Sequence, residues 1–257
     1  MMWRFVFLLV FSAMSLLVFV GFGDQIYLSD DLLTADKVLI ADSLYEEEDA
    51  DEIAPRMFQV WPGNNGLRSS DWFTVCIRAN PGDVIVLAPR LYRFDLWVFT
   101  PRLTITSQGA TDGCAEIWGT VQIEADGVIL DRIAITGPRK AGSSGHGVEI
   151  DREVVDRVLI RGCRIEKNEW TGIHLIGPRG RIDELRVHDC RLIENGMDGM
   201  DATCVDKLII SSCTIANNGW NFEHGAGVRI GSYVKHVAMQ DNRISGNRFA
   251  DVYRRQR

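Results

Sequence analysis

Ile160-Arg161-Gly162-Cys163-Arg164-Ile165-Glu166-Lys167-Asn168 returns, with the same spacing of residue types, as Val187-His188-Asp189-Cys190-Arg191-Leu192-Ile193-Glu194-Asn195. Two further copies are Ile210-Ser211-Ser212-Cys213-Thr214-Ile215-Ala216-Asn217-Asn218 and Met239-Gln240-Asp241-Asn242-Arg243-Ile244-Ser245-Gly246-Asn247. The template is apolar, two polar, Cys or Asn, one polar, apolar, two variable, Asn. A fainter copy begins at Leu130 and continues through Ile133 and Ile135. Short repeats with a period of two mark a solenoid of stacked strands.

A second segment keeps the same register. It reads Gly147-Val148-Glu149-Ile150, Gly172-Ile173-His174-Leu175, Gly199-Met200-Asp201-Ala202 and Gly227-Val228-Arg229-Ile230. The second and fourth residues are apolar and point inward, and the third is polar and points outward. Two short strands per turn, joined at an Asn bend, predict an all-β, right-handed parallel β-helix of about six to seven coils. Stacked coils lie roughly 4.8 Å apart, so each repeat position becomes a ladder.

The Asn168, Asn195, Asn218, Asn247 ladder reads as structural: Asn tolerates a left-handed bend, and its amide can bond from coil to coil. Cys163, Cys190 and Cys213 read as small inward side chains. A disulfide between neighbouring rungs stays open. No His shares that column and no CxxC pair exists, so it is not read as a metal site.

Composition sets the surroundings. Residues 5–23 are almost wholly apolar after Arg4, and acids come next at Asp24, Asp30 and Asp31. This predicts a signal peptide over residues 1–23, ending at Gly21-Phe22-Gly23, or an uncleaved signal anchor as the only membrane contact. Either exports the remainder, to a periplasmic or extracellular place. Residues 24–60 read as an acidic linker, with eleven acidic and two basic residues between 24 and 56. The remaining domain, 61–257, is near neutral, which argues against a nucleic-acid partner. Residues 70–78 carry a cap and an apolar face and predict a short N-terminal capping helix, ahead of a turn at Asn80-Pro81-Gly82-Asp83 and a first strand at 84–87. The oligomeric state is not legible.

The lead-in Ala79-Asn80-Pro81-Gly82-Asp83-Val84-Ile85-Val86-Leu87-Ala88-Pro89 with Tyr92, continued by the Asn-bearing repeats, resembles the pectin-lyase-like β-helix superfamily. The resemblance spans about residues 61–247. It implies the β-helix fold and, among its activities, uronan lyases, mannuronan C5-epimerases, polygalacturonase-type hydrolases and non-catalytic members. Asp198-Gly199-Met200-Asp201-Ala202-Thr203-Cys204 is similar to the epimerase strand Tyr-Gly-Phe-Asp-Pro-His-Asp. Gly199 and Asp201 match; Asp198, Ala202, Thr203 and Cys204 stand where that motif has Tyr, Pro, His and the last acid. Ser144-Gly145-His146-Gly147 is similar to the Gly-His-Gly of polygalacturonases, without the paired Asp residues upstream.

Across the coils, the outward position of the Gly-started strands gives Glu149, His174, Asp201 and Arg229, and the position before each Gly gives His146, Thr171, Asp198 and Ala226. Two long loops, residues 139–146 and 219–226, flank two short ones at one corner. They predict a trough with Thr171, His174, Asp198 and Asp201 on its floor. Its walls would carry His146, Lys140, Trp220 and His224, with Trp170 on the rim. For proton abstraction beside a uronate carboxylate, His174 is the candidate base, oriented by Asp201, with Arg229 or Lys140 to neutralise charge. For hydrolysis, Asp198 and Asp201 would form the carboxylate pair. No metal or other cofactor is assigned; calcium at Asp198 and Asp201 has no loop motif behind it. The Arg164, Arg191, Arg243 column is a second candidate anion track, expected to pair with neighbouring acids. The predicted partner is an acidic polysaccharide, and the reaction a lyase or epimerase step. The alternatives are a non-catalytic glycan-binding or assembly factor, or a polygalacturonase-like hydrolase.

Overall fold

A pair of left-handed residues divides each of the four Asn-bearing repeats. Gly162, Asp189, Ser212 and Asp241 take φ of 60°, 50°, 55° and 54°, each one residue before the Cys-type position; Arg132 does the same at 53° before Ile133. Lys167, Glu194, Asn217 and Gly246 take 57°, 57°, 57° and 71°, each one residue before the ladder Asn. The left-handed conformation therefore falls beside the Asn and not on it. The first of these corners also splits the segment read as one strand into two. A coil thus carries three strands, not two, as in Arg157–Arg161, Arg164–Glu166 and Ile173–Ile176.

The computed structural model describes residues 5–12, 15–22, 25–27, 37–41, 57–61, 74–109, 113–137, 145–151, 153, 155–176 and 182–255. Its strands form three sheets of eleven, nine and seven strands, stacked in parallel through the repeat region. The register is strict. Tyr92, Ile117, Ile135, Ile165, Leu192, Ile215 and Ile244 form one column on the seven-stranded sheet. From Tyr92 to Ile215 every member is 0% exposed. β-branched side chains suit this half-pleated stacking, and each buried Ile contributes about 1.5–3 kcal/mol of transfer free energy.

Two polar columns close the corners. The Asn amides bond in series: Asn168 Nδ2 to Asn195 Oδ1 at 2.8 Å, Asn195 Nδ2 to Asn218 Oδ1 at 3.0 Å, and Asn218 Nδ2 to Asn247 Oδ1 at 2.8 Å. The second amide hydrogen of Asn195 and of Asn218 reaches the carbonyls of Ile165 and Leu192. Each Oδ1 also accepts the backbone N–H of the preceding ladder Asn. Asn195 and Asn218, with Oδ1 and both amide hydrogens engaged, offset their desolvation and fix the register.

The Cys column does more than fill space. Cys163 N–H donates to Cys190 Sγ, and Cys190 N–H to Cys213 Sγ, both at 3.4 Å; Cys213 N–H donates to Asn242 Oδ1 at 2.9 Å. The side chain at this position accepts the amide freed by the left-handed corner, which explains why Asn can stand in for Cys. The three thiols are free rather than paired in a disulfide.

At the N-terminal side, the helix expected over residues 70–78 is replaced by a strand. Thr74–Arg78 pairs in parallel with Asp95–Val98, and Thr, Val and Ile in this stretch suit a ladder better than a helix. Residues 70–73 lie outside the described residues, and there is no helix among those described. Strands Lys37–Ala41 and Met57–Trp61 continue the same sheets, pairing with Thr74–Arg78 and Val84–Leu87. Phe5–Ser12 and Ser15–Phe22 pair antiparallel with each other. No helix of the described residues is long and apolar enough to cross a membrane. The acidic run at 46–52 lies outside the described residues.

Candidate functional site

The outward stripe lies on the eleven-stranded sheet. Glu149 is aligned with His174; the pairing of Ile173 with Met200 puts His174 beside Asp201, and Asp201 is aligned with Arg229. The ladder runs further in both directions, through Gln122 and Trp97 on one side and Tyr253 on the other. These three escaped the sequence reading because their strands lack the leading Gly. Alternation in Val121-Gln122-Ile123 could have placed Gln122, whereas Leu96-Trp97-Val98 and Val252-Tyr253-Arg254 carry no such signal.

His174 is the centre of the stripe. Its Nδ1 lies 3.7 Å from Asp201 Oδ2, an ion-pair distance. Its ring stacks on that of His146, with centroids 4.2 Å apart and planes 13° from parallel. His146 Nδ1 accepts the backbone N–H of Thr171 at 3.2 Å. Burial, reinforced by the neighbouring His174, pulls the His146 imidazole down to about 3. Burial likewise pushes the Asp201 carboxyl up, against the opposing pull of His174 and a hydrogen bond from Thr203 N–H. Glu149, opposite His174, is buried.

The position before each Gly forms its own ladder. Gly147, Gly172 and Gly199 N–H groups donate to the carbonyls of Thr171, Asp198 and Ala226. Thr171 and Asp198 are each 1% exposed, so they are buried and do not form the open floor expected of them. Asp198 is fully engaged. Arg229 Nε and Nη2 reach its two oxygens at 2.8 and 2.9 Å, and Ala226 N–H donates to Oδ1 at 2.7 Å. The guanidinium also donates to the His224 carbonyl and lies 5.3 Å from the Tyr253 ring centroid. Asp198 raises the Arg229 pKa further. Calcium at Asp198 and Asp201 would have to displace this guanidinium. Among the described residues, no cluster of three or more His, Cys, Asp or Glu has a metal-binding arrangement.

Aromatic side chains brace the corner. Trp170 lies against His146 and Phe222, with centroids 5.9 and 4.9 Å away, and remains 40% exposed. Its indole occupies the space beside Gly145, where an added Cβ would sit 2.5 Å from Trp170 Cδ1; φ of +75° demands Gly there as well. Trp220, 39% exposed, is anchored by its Nε1–H to the Glu194 carbonyl at 2.7 Å. The loop that carries it is tied down by Asn221 and Phe222 N–H groups on the Gly196 carbonyl. His224 is exposed and meets Phe249 edge to face. Lys140, with the rest of 138–144, lies outside the described residues.

The other candidate face is partly neutralised. Arg164 and Arg191 converge on Glu166, at 3.7 and 3.5 Å, while Arg243 aligns with Thr214 on the outermost rung. His188, which with His236 lies away from the trough corner, hydrogen-bonds Ser211 Oγ at 2.9 Å on the second sheet.

No curated protein matches the chain. The profile of the right-handed β-helix region matches residues 120–255, more than half of the sequence and all of the coils that carry the Asn and Cys columns. The matched span, the three parallel sheets and the ladder register agree with a pectin-lyase-like β-helix, and the chain belongs to the right-handed β-helix family.

Proposed function

We propose that the chain is an exported β-helix protein that binds an acidic polysaccharide in the trough beside His174 and removes the proton next to a uronate carboxylate, as a lyase or epimerase does. The observation that carries this reading is the imidazole of His174, held between the parallel ring of His146 and the carboxylate of Asp201 on a half-open face. A base needs an ordered lone pair and a partner that stabilises its protonated form, and the two neighbours supply these. Trp170 and Trp220 offer apolar faces for sugar rings at the same corner. Charge on the substrate carboxylate would be met by Arg229 or by Lys140.

Hydrolysis fits less well, because the paired carboxylate it requires is absorbed: Asp198 holds Arg229 through both oxygens. The same ion pair favours a second reading, non-catalytic glycan binding, since it neutralises the cation that would stabilise an enolate.

Incubation with a panel of polyuronates separates these outcomes. Cleavage appears as ultraviolet absorbance of an unsaturated uronate, and epimerisation as exchange of the proton beside the carboxylate in deuterated water. His174→Ala should remove turnover with a stability change within about 0.5 kcal/mol, as for an outward polar side chain. Binding without turnover by wild type would establish the second reading. Turnover unchanged in His174→Ala would move the search to the Arg164–Arg243 face. Intact-mass analysis of the exported chain tests the export proposal: a mature start at Asp24 means cleavage, retention of residues 1–23 an anchor.

A further inference from the structure

We propose that His146 is held as the neutral imidazole with its proton on Nε2, as a positioning residue for His174, so that His174 is the only one of the stacked pair that exchanges a proton with a bound glycan. The last clause rests on the functional reading above; the state of His146 does not.

Two bonds fix His146. Its carbonyl accepts Thr120 Oγ1–H at 2.7 Å from the preceding coil, and its Nδ1 accepts the Thr171 amide at 3.2 Å from the following one. A ring nitrogen that accepts an N–H bond presents a lone pair, which leaves the proton of the neutral ring on Nε2. Protonating Nδ1 would break this bond and leave the amide of Thr171, a residue 1% exposed, facing a donor.

The second ring then decides where charge goes. Two imidazolium rings 4.2 Å apart repel, so the stack disfavours a second proton charge. Among the described residues, the acidic groups beside the pair include Asp201, 3.7 Å from His174 Nδ1, and Glu149, aligned with His174 on the neighbouring strand. Asp201 is the carboxyl placed at ion-pair distance from His174. The Trp170 ring, centred 5.9 Å from His146, is an uncharged neighbour of that ring. The depressed His146 pKa agrees with this division.

The consequence is chemical. Epimerisation takes a proton from one face of the sugar carbon and returns one to the opposite face, which calls for two proton-exchanging groups. Both imidazoles here rise from one sheet face, and one of them is locked. Elimination needs only one. His174 accepts the proton from C5, the C5–H electrons form the C4–C5 double bond, the C4–O bond breaks, and the same imidazolium returns the proton to the departing oxygen. The geometry therefore points to β-elimination rather than C5 inversion.

Long-range nitrogen–proton correlation spectra of the full chain test the first part, with His146→Gln identifying the His146 signals. The neutral Nε2–H pattern should persist for His146 from about pH 8 to about pH 5, the range in which an ordinary His titrates. Titration of His146 in that range, or a proton on Nδ1, would overturn the proposal. His146→Gln retains an acceptor for Thr171 and a donor and should keep turnover of a polyuronate. His146→Phe retains only the stack and should lose at least tenfold. Equal activity of the two variants would overturn the positioning role. Product spectra with unsaturated ends and no inverted C5 support the single-carrier clause, and inverted C5 overturns it. A wild type inert toward every polyuronate counts against the functional reading alone, while the spectra still decide the state of His146.

Discussion

The two left-handed corners of this solenoid are built alike and used differently. At the Cys corner the chain turns within two residues in every repeat, and Cys163, Cys190, Cys213 and Asn242 each sit at a fixed interval from the next strand. At the Asn corner the amide ladder is just as regular, but the connection to the next strand varies in length. Asn195 leads to Gly199 through three residues, whereas Asn218 leads to Gly227 through a loop carrying Trp220, Phe222 and His224. A rigid buried ladder lets the loop beyond it vary without disturbing register. The candidate site follows this difference: Trp170, His174 and Trp220 lie just past the Asn corner and His146 at the same corner of the preceding coil, while His188 and Ser211 flank the Cys corner on the second sheet.

Breaking the core beneath both corners should have the largest effect. Ile215 is 0% exposed and stacked between Leu192 and Ile244. Ile215→Asp buries an unpaired carboxylate and should cost at least about 4 kcal/mol, enough to abolish cooperative folding. A near-normal thermal transition by circular dichroism would mean that the repeat register is wrong.

The Asn corner alone is broken by Asn195→Ala. This deletes the acceptor of the Asn168 backbone and side-chain amides and the donor to Ile165 O and Asn218 Oδ1. Leaving such groups buried without partners costs about 1–3 kcal/mol each, so a loss of about 2–4 kcal/mol in denaturant titration is expected. Cys190→Ala, which removes one weaker sulfur acceptor from Cys163 N–H, should cost about 1 kcal/mol. Equal losses would erase the distinction between the corners.

The same contrast explains how much was legible in the residues. The inward columns, the outward stripe Glu149–His174–Asp201–Arg229 and the Asn ladder were readable because a period of two and a fixed repeat force them. Two strands per turn was the wrong count because left-handed φ at Asp189, Ser212 or Glu194 leaves no mark in residue type, whereas Gly162 and Gly246 give it away. The burial of Asp198 was invisible for a related reason. Its offset of two from Met200 puts it on the inward side, which a carboxylate contradicts by residue type, and only the coil above supplies the Arg229 and Ala226 partners that let it be buried. Thr74–Arg78 misled because a five-residue apolar stretch fits a helical face or a strand equally, and the neighbouring strand decided it.

The site also leaves a mark on stability against pH. His146 has a folded-state value of about 3 against about 6.5 when unfolded. The unfolded chain therefore binds more protons between these limits, and stability falls as pH drops below about 6.5, with a slope of up to about 1.4 kcal/mol per unit. Asp201 and Glu166, raised by burial, act in the opposite sense as pH rises through the carboxylate range, which makes the comparison with His146→Gln the decisive one. Between about pH 6.5 and about pH 5 the variant should lose at most about 2 kcal/mol less than wild type in chemical denaturation. Parallel curves for the two proteins would place His146 in an ordinary solvated setting.

The smallest effect is expected at the loop itself. Trp220 is 39% exposed, and its indole N–H is fixed on Glu194 O. Trp220→Ala gives up this half-exposed hydrogen bond and should cost about 1 kcal/mol of stability or less. If the ring stacks on sugar, its loss should weaken glycan binding by about 0.5–1.5 kcal/mol, a few-fold to about tenfold in Kd. The turnover of saturated enzyme should hold, because His174 and Asp201 keep their geometry on the strands beneath. Isothermal titration with a polyuronate and a saturation curve distinguish the two terms. An unchanged Kd would assign Trp220 to bracing the loop against Glu194, and the variable side of the Asn corner would then owe its ligand contact to Trp170, whose indole packs against His146 and Phe222.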